Sequence, residues 1–176
     1  MAFWTDAQRQ DPKRAYRFKL TITGMAPGGK LIWYAKKVTK PKFSITETMH
    51  TYLNHKFYYP GRLEWQEVIA TLVDPVEPNV TGDLMGMVQA AGYVIPSNPN
   101  GLTSIDKRSF VNQVQRITID QIDSIGTVQE SWHLNNAWIK DITLSDLDYE
   151  ADELSTVDVT FRYDWADLDN SIFIPS

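Results

Sequence analysis

The chain contains no cysteine. Disulfides and thiolate metal sites are therefore excluded, and folding in a reducing cytoplasm is the simplest expectation. No apolar run approaches the roughly 18 residues that a membrane span needs. The opening, MAFWTDAQRQDPKR, has no apolar stretch of the kind a signal peptide carries. A soluble protein with no membrane segment, not exported through a signal peptide, is expected. Catalytic signatures are missing as well: there is no G-x-S-x-G, no Gly-rich phosphate loop ending in Lys-Ser/Thr and no H-E-x-x-H. The three histidines, His50, His55 and His133, fall on strand or turn patterns without ligand spacing and read as ordinary surface or partly packed residues. Asp146, Asp148, Glu150 and Asp152 alternate like EF-hand ligands, but the sixth position is Ala151 instead of Gly and the twelfth is Val157 instead of Glu. A solvated acidic turn is expected there. Asn79-Val80-Thr81 matches a glycosylation acceptor with no secretory signal to give it meaning. Nothing singles out a catalytic pair among the 22 acids. The expectation is a non-enzyme with no cofactor and no metal.

What the chain does have is a globular composition and a lopsided charge. Its 176 residues, 43% hydrophobic and 12% aromatic, suit one domain (residues 1–176) large enough to bury a core. Residues 1–62 hold 12 of the 17 Lys and Arg and 3 acids, a balance of +9; residues 63–176 hold 5 basic residues and 19 acids, a balance of −14. Such asymmetry suggests a nucleic-acid tail, a membrane contact or a surface that meets its own opposite. The basic residues are interleaved with strand residues, as in Tyr16-Arg17-Phe18-Lys19-Leu20. That leaves two readings: a solvated strand face, or head-to-tail self-association in which basic meets acidic.

The pattern along the chain is mostly of period two. Tyr16, Phe18, Leu20 and Ile22 alternate with Arg17, Lys19, Thr21 and Thr23, and a Gly24–Gly29 turn follows the N-terminal arm and first strand. Leu31–Thr39 reads as a second strand, ended or marked as an edge by Pro41. Lys42–Phe57, interrupted at Thr51–His55, reads as two strands or a long hairpin reaching away from the body, with Tyr59-Pro60-Gly61 as a turn. Leu63–Val73 is the next strand. A single helix is expected at about 80–92, capped by Asn79 or Thr81, with Asp83 in its first turn, apolar residues at Leu84, Met87, Val88 and Ala91, and Gly92 at its stop. Pro96–Gly101 is a loop. Phe110–Asp123 then reads as a long strand, Asp123–Gly126 as a hairpin turn and Thr127–Leu134 as the return. Ala137–Leu144 and Leu154–Trp165 follow, the latter with Val157, Val159, Phe161, Tyr163 and Trp165 on one parity. The fold class is mainly β: a single-domain β-sandwich or partly open barrel with one flanking α-helix.

Two blocks carry a family resemblance. One is Phe57-Tyr58-Tyr59-Pro60-Gly61-Arg62-Leu63-Glu64-Trp65 with the strand Val68–Val73. The other is Trp132-His133-Leu134-Asn135-Asn136-Ala137-Trp138, then Leu144-Ser145-Asp146-Leu147-Asp148-Tyr149, then the Val157–Trp165 strand. With the Phe3-Trp4…Asp11-Pro12-Lys13-Arg14 opening and Arg17-Phe18, in this order and spacing, the chain resembles the tail tube proteins of contractile-tailed bacteriophages. The Ile95–Arg108 stretch matches least. The resemblance implies homohexameric rings that stack into a hollow tube for DNA delivery inside a contractile sheath. It implies the sheath, baseplate, tail terminator and tape-measure proteins as partners, and location in the virion tail after assembly in the host bacterial cytoplasm. In such proteins two long hairpins per subunit complete a shared inner β-barrel, whose closure removes exposed strand edges.

The first candidate hairpin holds Lys36, Lys37, Lys40, Lys42, Thr48, His50, Tyr52, His55 and Phe57, for contacts between subunits or rings. The second spans Phe110–Leu134. DNA has to slide through a conduit without specific binding, so the wall should be poor in phosphate-holding Lys and Arg. With Ile117, Ile119 and Ile122 turned to the core, Arg116, Thr118, Asp120 and Asp123 face the channel, joined by Gln129 and by Ser131 or Glu130 on the return strand. Two alternatives remain: a related tube of a tailocin, type VI or other contractile injection system carrying no DNA, and a β-sandwich module that binds carbohydrate or a receptor.

Overall fold

The computed structural model describes residues 12–23, 35–77, 79–94, 104–150 and 152–169. The Phe3-Trp4 opening, the Gly24–Gly29 turn, the start of the Leu31–Thr39 strand and the Pro96–Gly101 loop lie outside them. The described elements are β1 (Phe18–Thr23), β2 (Ala35–Val38), β3 (Phe43–Tyr52), β4 (His55–Trp65), β5 (Val68–Val73), α1 (Val80–Ala90), α2 (Lys107–Val114), β6 (Arg116–Ile122), β7 (Val128–Asn135), β8 (Trp138–Leu144), β9 (Thr156–Arg162) and β10 (Trp165–Leu168). Ten strands and two helices make the fold mainly β, as its alternation implies.

Two four-stranded antiparallel sheets share one core. The first has the order β1-β6-β7-β10 and the second β2-β5-β9-β8. Leu20, Ile22, Ile117, Ile119 and Leu134 from the first meet Val68, Ala70, Leu72, Val157, Val159 and Phe161 from the second, all buried. Burying each large side chain contributes about 1.5–3 kcal/mol. The β7–β8 and β9–β10 ribbons cross from one sheet to the other at a shared corner. There Asn136 takes a positive φ of 53° and Asp164 N donates to Asn135 O at 3.1 Å. Strands that change sheets at such bends are a recognised way to build a corner. Lys107 Nζ at 2.6 Å and Asn136 Nδ2 at 2.9 Å both donate to the Asp164 carboxylate, fastening the corner to the start of α2.

Three sequence expectations need correction. Phe110–Asp123 is not one strand: its first part is α2. Asp106 caps that helix, accepting from Ser109 N at 2.9 Å and Ser109 Oγ at 2.7 Å, and Phe110 and Val114 are buried one turn apart. The chain therefore has two described helices where one was expected. Tyr59-Pro60-Gly61 is not a turn but the middle of β4. The reversal comes earlier, where Leu53 adopts a φ of 51°. Leu154–Trp165 is divided by the corner, and Trp165 begins β10 in the other sheet. Among the described residues neither sheet closes on itself, in keeping with the expected sandwich or partly open barrel. Helix α1 matches the expected bounds: Asn79 accepts from Gly82 N at 2.7 Å, Val80, Leu84 and Met87 are buried, and Gly92 follows at a φ of +112°.

Candidate assembly interface

Among the described residues the two four-stranded sheets have four edges, of two kinds. β1 runs against β6 in unbroken register from Phe18–Gln121 to Thr23–Arg116. β10 does the same against β7 from Trp165–Asn135 to Leu168–Trp132. In the second sheet the register breaks on both end strands, leaving Lys36 as the extra residue of β2 and Lys140 as that of β8. Bulges and edge lysines obstruct the addition of a further strand. The first sheet thus offers two regular edges, and the second blocks both of its own. Since β1, β6, β7 and β10 alternate in direction, β10 of one copy would meet β1 of another antiparallel.

The face of the first sheet turned away from the core carries Lys19, Thr21, Arg116, Thr118, Asp120, Ser131, His133 and Asp167. With Asp169 continuing the strand beside Ser131, its two cations meet three carboxylates among hydroxyls. Ser131 Oγ donates to Asp120 Oδ1 at 2.6 Å, and both residues are buried. Thr118 Oγ1 lies 3.2 Å from His133 Nδ1, and His133 Nε2 lies 3.9 Å from the Asp169 carboxylate. Arg116, Thr118, Asp120 and Ser131 are therefore together on this face, with Arg116 the exposed one.

Three other wall candidates sit elsewhere. Glu130 pairs with Gln121 on the same parity as Trp132 and Leu134, so it points to the core side of the sheet, at its open end. There it accepts hydrogen bonds from Lys13, from Lys40 at 2.7 Å and from Trp132 Nε1 at 2.7 Å. Burial raises its pKa, but the hydrogen bonds and the charge of Lys40 outweigh this and lower it to about 2. Asp123 closes the β6–β7 turn, accepting from Ile125 N and Thr127 N at 2.9 Å, and from Gln129 Nε2 at 3.1 Å. Asp123 and Gln129 are thus turn groups.

The β3–β4 hairpin is exposed along almost its whole length and pairs only with itself. An isolated two-stranded hairpin is marginal in water. Its base is held to the body by Phe43–Trp65 and Trp65–Tyr163 ring contacts, with centroids 5.3 and 6.0 Å apart. Cross-strand pairing Thr48–Tyr59, His50–Phe57 and Tyr52–His55 gathers the expected contact residues Thr48, His50, Tyr52, His55 and Phe57 on one face. The opposite face was missed: Ile45 pairs with Leu63 and Met49 with Tyr58, and these four are 48–58% exposed. The signal was hidden by a bulge in β4, where Arg62 N donates to Thr46 Oγ1 at 2.8 Å and the parity of every earlier β4 residue is reversed. Of the four lysines expected in the first hairpin region, Lys36 and Lys37 lie on the β2 edge, Lys40 is bound to Glu130 and Lys42 leads into β3. Among the described residues no cluster of three His, Asp or Glu could hold a metal ion, and no helix is long and apolar enough to cross a membrane.

No protein-family model and no curated protein matches the sequence. Solved structures do match the fold. A chain of the anti-feeding prophage baseplate superposes with a TM-score of 0.66 at 9% identity, covering 90% of this chain and 96% of that one. A chain of the sheath/tube terminator of an extracellular contractile injection system gives 0.65 at 15%, covering 91% and 98%. A chain of the sheath–tube complex of such a system gives 0.63 at 14%, covering 96% and 99%. At these identities the likeness is one of fold, and it extends over nearly the whole chain: this protein has the fold of chains found in contractile injection assemblies.

Proposed function

We propose that this protein is the tube subunit of a contractile injection apparatus. It closes with copies of itself into hexameric rings that stack as a hollow conduit inside a sheath. The observation that carries this reading is the pair of regular edges, β1 and β10, at opposite ends of one sheet whose neighbouring sheet has both edges bulged. Joining β10 of one copy to β1 of the next continues the antiparallel alternation and removes both edges of the first sheet once the ring closes. Four strands from each of six copies make a barrel of twenty-four, wide enough to leave an aqueous lumen. The wall is then the hydroxyl-rich face carrying Arg116, Thr118, Asp120 and Ser131, with more carboxylates than cations, which suits passage of double-stranded DNA without retention. The β3–β4 hairpin, with exposed apolar side chains on both faces and no strand partner beyond itself among the described residues, reaches the adjacent ring.

The sheath, baseplate, terminator and tape-measure proteins are the further partners of this reading. Its location is a virion tail assembled in the host cytoplasm. An injection tube that carries no DNA has the same subunit and is the second reading, favoured by the absence of a basic lumen face as much as the first. Negative-stain imaging and sedimentation of the purified chain test the proposal. Rings or tubes support it, and a strict monomer at tens of micromolar overturns it. Packaged DNA within isolated particles separates the first reading from the second.

A further inference from the structure

One flank of the molecule carries β1 and β2, which touch each other, and the opposite flank carries β10 and β8. On the first flank lies a groove of about 780 Å³ lined by four lysines, Lys13, Lys36, Lys37 and Lys40, and one carboxylate residue, Asp120, with Tyr16 and Phe18 as apolar walls. Lys13 and Lys40 are held by Glu130, whereas Lys36 and Lys37 are exposed and make no ion pair among the described residues. The bulge at Lys36 bars backbone pairing along this edge, so any partner there has to dock through side chains.

The opposite flank supplies a match. After β8 the chain reads Asp146-Leu147-Asp148-Tyr149-Glu150: three carboxylates without an ion pair among the described residues, and two apolar side chains that are 91% (Leu147) and fully (Tyr149) exposed. Among the described residues nothing covers Leu147 or Tyr149. Height matches as well as chemistry. The rungs Ala35–Leu72, Leu72–Val157 and Val157–Leu144 run straight across the second sheet, so the acidic segment leaves one flank at the level where the lysines line the other.

We propose that the Asp146–Glu150 segment of one copy seats in the lysine groove of the next copy of the same ring. Its carboxylates meet Lys36 and Lys37, and Leu147 and Tyr149 cover the apolar walls. This rests on the tube reading and adds a side-chain lock, on the second sheet, to the strand pairing of the first. It makes the charge asymmetry of the chain a lateral contact that closes rings, because a head-to-tail interface closes when its rotation allows. Opposed charge also hinders a wrong neighbour from adding in reversed orientation.

The absence of cysteine makes the test clean. Lys37→Cys and Tyr149→Cys chains are mixed and oxidised, with Asn112→Cys plus Tyr149→Cys as the control pair; imaging of the same samples reports assembly. The expected result is a mixed disulfide dimer at least about tenfold above the control pair, falling as salt rises above the roughly 0.1 M at which the screening length is about 10 Å. Assembled rings with cross-linking no greater than the control overturn the lock and leave the tube reading standing. Monomers without cross-links overturn both.

A charge exchange gives the independent arm. Lys36→Glu with Lys37→Glu should raise the concentration needed for assembly about tenfold or more, as should Asp146→Lys with Asp148→Lys. All four changes in one chain should restore it, with circular dichroism unchanged throughout because every site is exposed. Failure of the four-fold chain to recover while each pair alone is impaired contradicts the proposal. So does a Lys36→Glu, Lys37→Glu chain that assembles normally but no longer retards a duplex oligonucleotide, which would assign the groove to nucleic acid.

Discussion

Lys40 Nζ lies 2.7 Å from Glu130 Oε1, joining two residues ninety positions apart. The sequence pattern assigns the lysine to a subunit contact and the glutamate to a channel wall, yet they neutralise each other within one chain. Lys13 and Trp132 complete the set, and Gln121 Oε1 accepts a second bond from Lys40 at 2.7 Å. This knot closes the open end of the sandwich by tying the approach to β3 to the β6–β7 hairpin.

Replacing Glu130 by Gln should therefore destabilise the fold at neutral pH. The carboxyl is only 14% exposed, its folded pKa is about 2 and its ordinary value is 4.5. A depressed pKa gives stability that is present above the ordinary value and lost as pH falls towards the folded one. With both lysines about half exposed, screening leaves on the order of 1–3 kcal/mol. Urea unfolding should show that gap between wild type and Glu130→Gln at pH 7 and a narrower one at pH 3. A gap that does not change with pH contradicts the ion-pair account.

Deleting Thr48–His55 and joining the shortened strands with a two-residue turn should leave a folded chain that no longer assembles. The hairpin tip pairs only with itself, while the core cluster draws on the sheets and helices. Circular dichroism and sedimentation check this. Tubes formed by the deletion chain, or failure to fold, would refute it.

Met49→Glu with Tyr58→Glu tests the hairpin face that the sequence pattern concealed. Both side chains are more than half exposed in one subunit, so the unfolding midpoint should hardly move. Assembly should fail, because two carboxylates would enter an apolar contact unpaired. Normal ring yield would show that this face stays in solvent.

Gly61→Ala probes the bulge that sets the hairpin faces. A Cβ there would lie 2.4 Å from Thr46 Oγ1 and 2.9 Å from the Thr46 carbonyl oxygen. The two strands have to shift, while the body keeps its packing. Thermal unfolding near that of wild type with reduced ring yield is expected; unimpaired assembly would mean that the register of β4 does not matter to the contact.

How far the sequence revealed this architecture depended on whether the deciding interaction was local. Helix α1 was legible because Asn79, Asp83, Leu84 and Met87 are all within three turns. Helix α2 was equally local, with Asp106 before it and Phe110 and Val114 four apart, but its β-branched residues masked that spacing as strand. Pro60-Gly61 misled for a different reason: the pair has turn chemistry, but Thr46 across the ladder takes it into a bulge. The grouping of Arg116, Thr118, Asp120 and Ser131 followed from period two and was visible. The withdrawal of Glu130 was not, since its lysine partners lie ninety and 117 positions away.

The central claim is that the first sheet continues from copy to copy. A cryo-EM reconstruction of the assembled protein at a resolution that traces strands tests it most directly. The account expects β10 of each subunit hydrogen-bonded antiparallel to β1 of the next, six copies to the ring, with β2 and β8 unpaired at their outer edges. Rings whose backbone strand pairing runs through β2 or β8, or any assembly in which β1 and β10 keep free edges, would contradict it.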